Sequence, residues 1–570
     1  SMEPRGCYAQ WDNERLHLAF SGQGVWVHKR FVSEILGLKF EQIRVTNPDV
    51  GGGFGMKAMG YPEEFVVSFA AIKLKKPVRW VSERTEAMLS DNAGRDLKHL
   101  AELAFDETNK IVGYRVNTFC NLGAYNSRFG QNIQTGLFSK VLMGVYDVQN
   151  TYLNVLGIYT NTTQVDAYRG AGRPEAIYLL ERIMDRASRE LKIDPLELRR
   201  INFIKKDNFP YQSSTGEMID VGDFDRVLTA AEISADIQGF QRRKKESETK
   251  GRLRGLGLCY YIESILGDPS EEAKVVFEED GDVKIFVGTQ SNGQGHETVF
   301  AQFLSDQTGI PTEKITVIQG DSDLIPNGGG TGGSRSVTVQ NNATLAVVEK
   351  VIQAFSQYLS EKLGVDVENI EFDDISFRIK GSNYSPNVLE VANMACEDQR
   401  FDLLTHSAKA TLDARSFPNG AHFAEVEIDP DTGFVQVVRY SVVDDFGNLI
   451  NPMLAEGQVH GGVAQGIGQA LYEHVVFDKE GQLLTATFMD YGMPRAQDLP
   501  YYKFETECVP STANIMGMKG CGEAGTVGAL AAVANAVQDA LWEIGIQQVD
   551  MPFTSEKIWS MINSSNLAAE

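Results

Sequence analysis

Cysteine is scarce in this sequence. Cys7, Cys120, Cys259, Cys396, Cys508 and Cys521 are scattered over 570 residues, and no two form a CxxC pair. Zinc and iron–sulfur sites need closely spaced thiolates, so neither is expected in this chain. So few cysteines make no disulfide scaffold, and a reducing compartment is the expectation. Long apolar runs are also lacking. The longest small-apolar stretch, 528–541, is broken by Asn535, Gln538 and Asp539 and is too short to span a membrane. No signal-peptide pattern opens the chain. Basic residues are outnumbered, with 53 Lys and Arg against 77 Asp and Glu and a net charge of −24. That balance argues against a nucleic-acid surface and against docking on anionic lipid.

What remains is a long chain, 42% hydrophobic, with 54 glycines. It can bury the cores of two to four domains. Apolar periodicity predicts helices over 63–75, 174–191, 336–363 and 526–544. It predicts strands over 42–47, 78–82, 283–289, 314–319 and 434–443. The stretch 241–254, QRRKKESETKGRLR, has no apolar period and reads as a solvated linker or a frayed helix end. The expected architecture is α/β (α+β), with two large mixed domains, 1–240 and 255–570, joined by that linker.

The glycines cluster in five loops at strand ends or helix starts. They are Gly51-Gly52-Gly53-Phe54-Gly55-Met56-Lys57, Arg169-Gly170-Ala171-Gly172-Arg173, Ser291-Asn292-Gly293-Gln294-Gly295-His296, the stretch GGGTGGSRS from Gly328 to Ser336, and Gly520-Cys521-Gly522-Glu523-Ala524-Gly525. Glycine allows positive φ and close backbone approach, and a helix N-terminus offers free N–H groups and a positive dipole. Five such loops suggest a large anionic ligand held mostly by backbone amides. Any one of them alone reads as a tight turn. GGGFGMK is neither a Walker A loop nor GxGxxG, which argues against an NTPase or an NAD site.

In their order, GGGFG, AYRGAGRPEA, NGQGH, GGSRS and KGCGEAG resemble the cofactor-binding segments of the molybdenum hydroxylases. That family includes xanthine dehydrogenase, aldehyde oxidoreductase and the large subunit of aerobic carbon monoxide dehydrogenase. The opening EPRG…AQWD and the run LELRRINFI are similar too, so the resemblance covers almost the whole chain. It implies a large subunit that binds molybdopterin, expected as the cytosine dinucleotide, with molybdenum held by the pterin dithiolene rather than by protein side chains. It implies hydroxylation of an aldehyde or N-heterocycle carbon with oxygen from water, and electrons passed to partner subunits carrying Fe–S clusters and FAD.

Residue by residue, the resemblance implies Glu523 as catalytic base, Arg169 as the group that orients substrate and stabilises its charge, and Gln23 as a hydrogen-bond donor beside the metal. Gly53, Phe54 and Gly55 would lie near molybdenum. Gly170, Ala171, Gly293, Gln294, Gly295, Ser334, Ser336, Gln465 and Gly522 would contact the cofactor. A carboxylate in an apolar glycine loop is expected to be partly desolvated, which favours basicity. Carbon monoxide dehydrogenases of the family carry a copper-binding cysteine in the loop after AYR, and Gly170 to Arg173 contain none. Purine-oxidising members have a glutamate where this chain has Ala58. The resemblance thus implies an enzyme of the xanthine dehydrogenase/aldehyde oxidoreductase type acting on neither carbon monoxide nor purines. It implies a cytoplasmic location. The family's large chain has a further α/β domain before EPRG, which a separate piece of the large subunit would supply.

Other readings stand beside these. Glu523 could cap its helix with its carboxylate. Arg169 and Arg173 could be ordinary ion-pair residues, and Gln23 and Gln465 buried amides. His296 is expected to point away or to bond a phosphate, and Cys521 to pack as a small residue. Glu263 could line a substrate funnel. Phe209 and Tyr211 could stack on substrate or fill the core. At the level of function, the alternative is a cofactor-free scaffold that kept the fold.

Overall fold

Strand Ser270–Phe277 alternates half-buried and buried side chains along its whole length, the period of a sheet with one covered face. Such local patterns are realised throughout the computed structural model, a mixed α/β structure that describes residues 1–569. Helices form at Pro62–Leu74, Arg173–Leu191, Ser336–Leu363 and Ala524–Trp542, close to their predicted bounds. The predicted strands form at Ile43–Thr46, Val78–Val81, Val283–Val287, Ile315–Ile318 and Val435–Asp445. The chain packs into two compact units that interleave along the sequence and do not follow the halves 1–240 and 255–570. One comprises Ser1–Ser82, Leu266–Ala414 and Ile450–Leu454. The other comprises Glu83–Ile265, Arg415–Leu449 and the chain from Ala455 onward.

The first unit has two four-stranded sheets. In one, Ile43–Thr46, Arg15–Phe20, Gly6–Asp12 and Val78–Val81 lie side by side in that order, and its core includes Leu16, Leu18, Val32 and Ala71. In the other the order is Ile315–Ile318, Val283–Val287, Ser270–Phe277 and Thr405–Thr411. Helices His296–Thr308, Ser336–Leu363 and Val388–Glu397 contribute to the core over this second sheet. Each glycine loop of this unit runs from a strand end toward a helix start.

The second unit is built around helix Ala524–Trp542. Its sequence is small and apolar all round, and nearly every residue is buried, as expected of a central core helix. It packs on a sheet ordered Leu253–Ile262, Asn419–Ile428, Val435–Asp445 and Tyr502–Thr506, and against helix Arg173–Leu191. A three-stranded sheet of Leu97–Phe105, Ile111–Gly123 and Thr151–Tyr159 belongs to the same unit.

Of the two readings of 241–254, the helix end holds and the linker does not. The stretch runs through helix Phe240–Glu248 into strand Leu253–Ile262, wholly inside the second unit. Two of its cations are buried: Arg243 and Arg254 each reach Glu425 at 2.6 Å, and Arg254 also reaches Glu427 at 3.0 Å. Strand Asn419–Ile428 supplies the carboxylates that a buried charge needs. Among the described residues, no helix is long and apolar enough to cross a membrane.

Candidate active site

In the first unit, Gln23 ties two glycine loops together. Its Oε1 accepts the Gly55 N–H at 2.9 Å, and its Nε2 donates to the Thr331 carbonyl at 3.0 Å. An amide nitrogen has two hydrogens, and Thr331 takes one. Gly53 is required here, because a Cβ at that position would lie 2.7 Å from the Gln23 side chain. Thr331 is the centre of the arrangement: its N–H donates to the Gln23 carbonyl at 2.7 Å, and its hydroxyl bonds that of Ser336. Gln294 donates to the Gln290 carbonyl at 3.2 Å and lies 3.1 Å from the His296 ring. Burial pulls the His296 imidazole down to about 3, so it is neutral and offers hydrogen bonding without charge.

Loops ending in Gly295 and Arg335 lead directly into helices His296–Thr308 and Ser336–Leu363. Arg335 is occupied in holding its own loop: it binds Glu271 at 2.5 Å and the Gly330 carbonyl at 3.0 Å. An anion at this helix start would therefore meet backbone amides and hydroxyls. Asn341, in the second turn of the same helix, is fully buried, and among the described residues neither end of its amide has a partner. A buried amide of this kind is satisfied by a water, an ion or a bound polar ligand. These features fit a pterin with its phosphates. Phe54 and Ser334 take positive φ, 55° and 59°, a conformation unfavourable to side chains and common in ligand-binding loops.

In the second unit, Glu523 occupies the N-cap position of helix Ala524–Trp542, yet its side chain makes no capping bond. Instead Oε1 accepts the Gly170 N–H at 2.9 Å, and Oε2 accepts from Arg173 Nη2 at 2.5 Å. Arg173 is fully buried and donates also to Glu263 at 2.5 Å, to the Ser264 carbonyl at 2.6 Å and to the Gly170 carbonyl at 2.6 Å. Burial alone would lower Arg173, but the Glu523 and Glu263 carboxylates overcome it and hold the guanidinium above the usual arginine range. Ala171, between these groups, is held at φ 39°.

Arg169 braces the loop from the other side. Its Nε donates to the Gly522 carbonyl at 2.6 Å, Nη1 to Gln465 Oε1 at 3.1 Å, and Nη2 to the Gln458 carbonyl at 3.0 Å. Burial pulls Arg169 below the usual arginine range, with the Glu523 carboxylate working in the opposite direction. Burial pushes the Cys521 thiol up to about 12, so it is an inert packing group. Among the described residues, no cluster of His, Cys, Asp or Glu is placed to hold a metal ion.

Sequence reasoning named Glu523, Arg169, Gly170, Ala171, Gln465 and Gly522, and the second unit brings them together. In the first unit it named Gln23, Gly53, Phe54, Gly55, Gly293, Gln294, Gly295, Ser334 and Ser336, which lie in its glycine loops. It missed Thr331 and Asn341, and it left Arg173 and Glu263 open. A sequence separation of 90 hides the pair from any local motif. Phe209 and Tyr211 belong to the core: Phe209 packs edge-on to Phe224 at 5.6 Å, and the Tyr211 hydroxyl donates to Asp147 at 2.8 Å.

A mixed α/β fold with glycine loops at helix starts and a guarded carboxylate defines a class of cofactor-dependent enzyme, and comparison with known proteins identifies it. The molybdopterin cofactor-binding domain matches residues 1–203 and, as a second such domain, 230–500. The chain is 32% identical to the carbon monoxide dehydrogenase large chain of Hydrogenophaga pseudoflava, over 100% of this chain and 73% of that one. It is 34% identical to the nicotine 6-hydroxylase large subunit of Paenarthrobacter nicotinovorans, over 98% and 71%. The solved quinoline 2-oxidoreductase of Pseudomonas putida 86 superposes with a TM-score of 0.94 at 30% identity, covering 99% of this chain and 74% of that one. The chain belongs to the molybdenum-binding large subunits of the molybdenum hydroxylases, a family of oxidoreductases.

Proposed function

We propose that this large subunit hydroxylates a carbon beside nitrogen in an N-heterocycle, or an aldehyde carbon, with oxygen from water and Glu523 as the base. The observation that carries this is the Glu523 carboxylate, turned away from its own helix and fixed by the Gly170 amide and Arg173. Two of the relatives are named for nicotine and quinoline, both N-heteroaromatic. The segment Gly170 to Arg173 contains no cysteine that could hold copper, which supports a hydroxylase over a carbon monoxide oxidiser. Ala58 in place of a carboxylate removes the group that would orient a purine.

The cofactor is molybdopterin as its cytosine dinucleotide. When bound, it supplies the two-electron oxidant and activates water as the oxygen source. Gln23, Gly53, Phe54 and Gly55 are the residues of the first unit proposed to face the metal end. The amides and hydroxyls of Gly293, Gln294, Gly295, Ser334 and Ser336 hold the pterin and its phosphates, with Asn341 added from the structure. Glu523 accepts a proton on its carboxylate and later releases it to solvent. Gly170, Ala171 and Gly522 set the backbone around that carboxylate. Arg169, bonded to Gln465, fixes the Gly522 carbonyl next to the base, and its charge favours negative charge developing on substrate. Electrons leave through partner subunits carrying Fe–S clusters and FAD.

Glu523→Gln keeps the shape and removes the base. Dye-linked oxidation of N-heterocycles and aldehydes should fall by roughly 100- to 10,000-fold, with molybdenum content unchanged. A variant that keeps activity within about tenfold would rule out Glu523 as the base.

A further inference from the structure

Arg173 binds two carboxylates through one guanidinium, and only one of them belongs to the proposed base. Nη2 meets Glu523 and Nη1 meets Glu263, both at 2.5 Å. Glu263 and Arg173 have no exposed side-chain surface, whereas the Glu523 side chain keeps 13%. A base must alternate between charged and neutral forms. If Arg173 had Glu523 as its only anion, protonating Glu523 would leave a buried cation uncompensated, which is costly. Arg169 sharpens the demand, because it is a second buried cation bonded to the carbonyl just before Glu523.

We propose that Glu263 is a positioning residue that serves as the permanent counter-charge of Arg173, so that Glu523 can take up and release a proton without stranding a buried cation. This rests on the reading of Glu523 as the base. Protonation of Glu523 converts its carboxylate to a carboxylic acid and leaves the Arg173–Glu263 pair neutral. Release to solvent restores the starting state. Ionisable groups around this trio include Glu175, which pairs with Arg95 at 3.5 Å, Asp444, which accepts from the Tyr261 hydroxyl at 2.9 Å, and the Cys521 thiol and the Tyr168 and Tyr261 phenols, all three held neutral by burial.

The test is Glu263→Gln in the molybdenum-loaded enzyme. With Arg173 left to Glu523 alone, the acid limb of the kcat/KM profile should move down by roughly one pH unit. The same midpoint can be read without turnover. The infrared carboxylic-acid band that Glu523→Gln abolishes is titrated in cofactor-free protein, and in Glu263→Gln it should appear at lower pH. Glu263→Asp, which keeps the charge but draws it back by one methylene, should fall between, and it serves alone if the glutamine variant does not fold. Midpoints unmoved in every folded variant overturn the counter-charge. Full activity in Glu523→Gln would instead overturn the reading of the base, so the two failures are distinguishable.

Discussion

A buried histidine in the first unit offers a test that needs no cofactor. His296 is held near a pKa of about 3 by burial, against 6.5 for an ordinary imidazole. Below the ordinary value the unfolded chain binds a proton that the folded protein refuses. The contribution to stability is complete above that value and is lost as pH falls toward the folded one. His296→Gln removes the group, so unfolding free energy should drop less for the variant than for the parent between about pH 7 and about pH 5. Equal losses would contradict a buried neutral imidazole. The same scale shows why some side chains were legible and others were not. Glu523 and Arg169 sit in glycine loops that mark themselves in the sequence. Arg173 lies in such a loop too, but its role depends on Glu263, and nothing in YYIES announces a counter-charge.

At the scale of elements, the site depends on the start of helix Ala524–Trp542. Gly525, next to the base, packs against helix Pro452–Leu471: an added Cβ would meet the Val459 carbonyl at 2.4 Å and the Val463 nitrogen at 2.8 Å. Both are backbone atoms of a helix and cannot turn aside. Gly525→Ala should therefore cost roughly 1–3 kcal/mol of stability and lower activity by displacing Glu523. Gly457→Ala, in the facing helix, meets nothing within 4 Å and should be neutral or stabilising. Equal melting temperatures for the two variants would contradict the close approach. Helices and strands with long apolar periods were readable because burial of one face is written at that period. The stretch 241–254 is largely exposed and holds a helix end, as its lack of apolar period suggested, but its reading as a linker missed two buried cations: the partners Glu425 and Glu427 of Arg254 lie more than 170 residues away.

For the whole molecule, the order of five glycine loops carried the family, and the match to two molybdopterin cofactor-binding domains agrees with it. The interleaving of the two units was not legible, because hydrophobic periodicity shows which residues are buried but not which segments they are buried against. The central claim is that this fold retains a working molybdenum cofactor as its dinucleotide. The most direct measurement is molybdenum by mass spectrometry on the purified protein, with nucleotide released from the same sample by mild acid. The account predicts about one molybdenum per chain and a matching amount of CMP. Protein purified with its partner subunits that holds neither molybdenum nor pterin would contradict it.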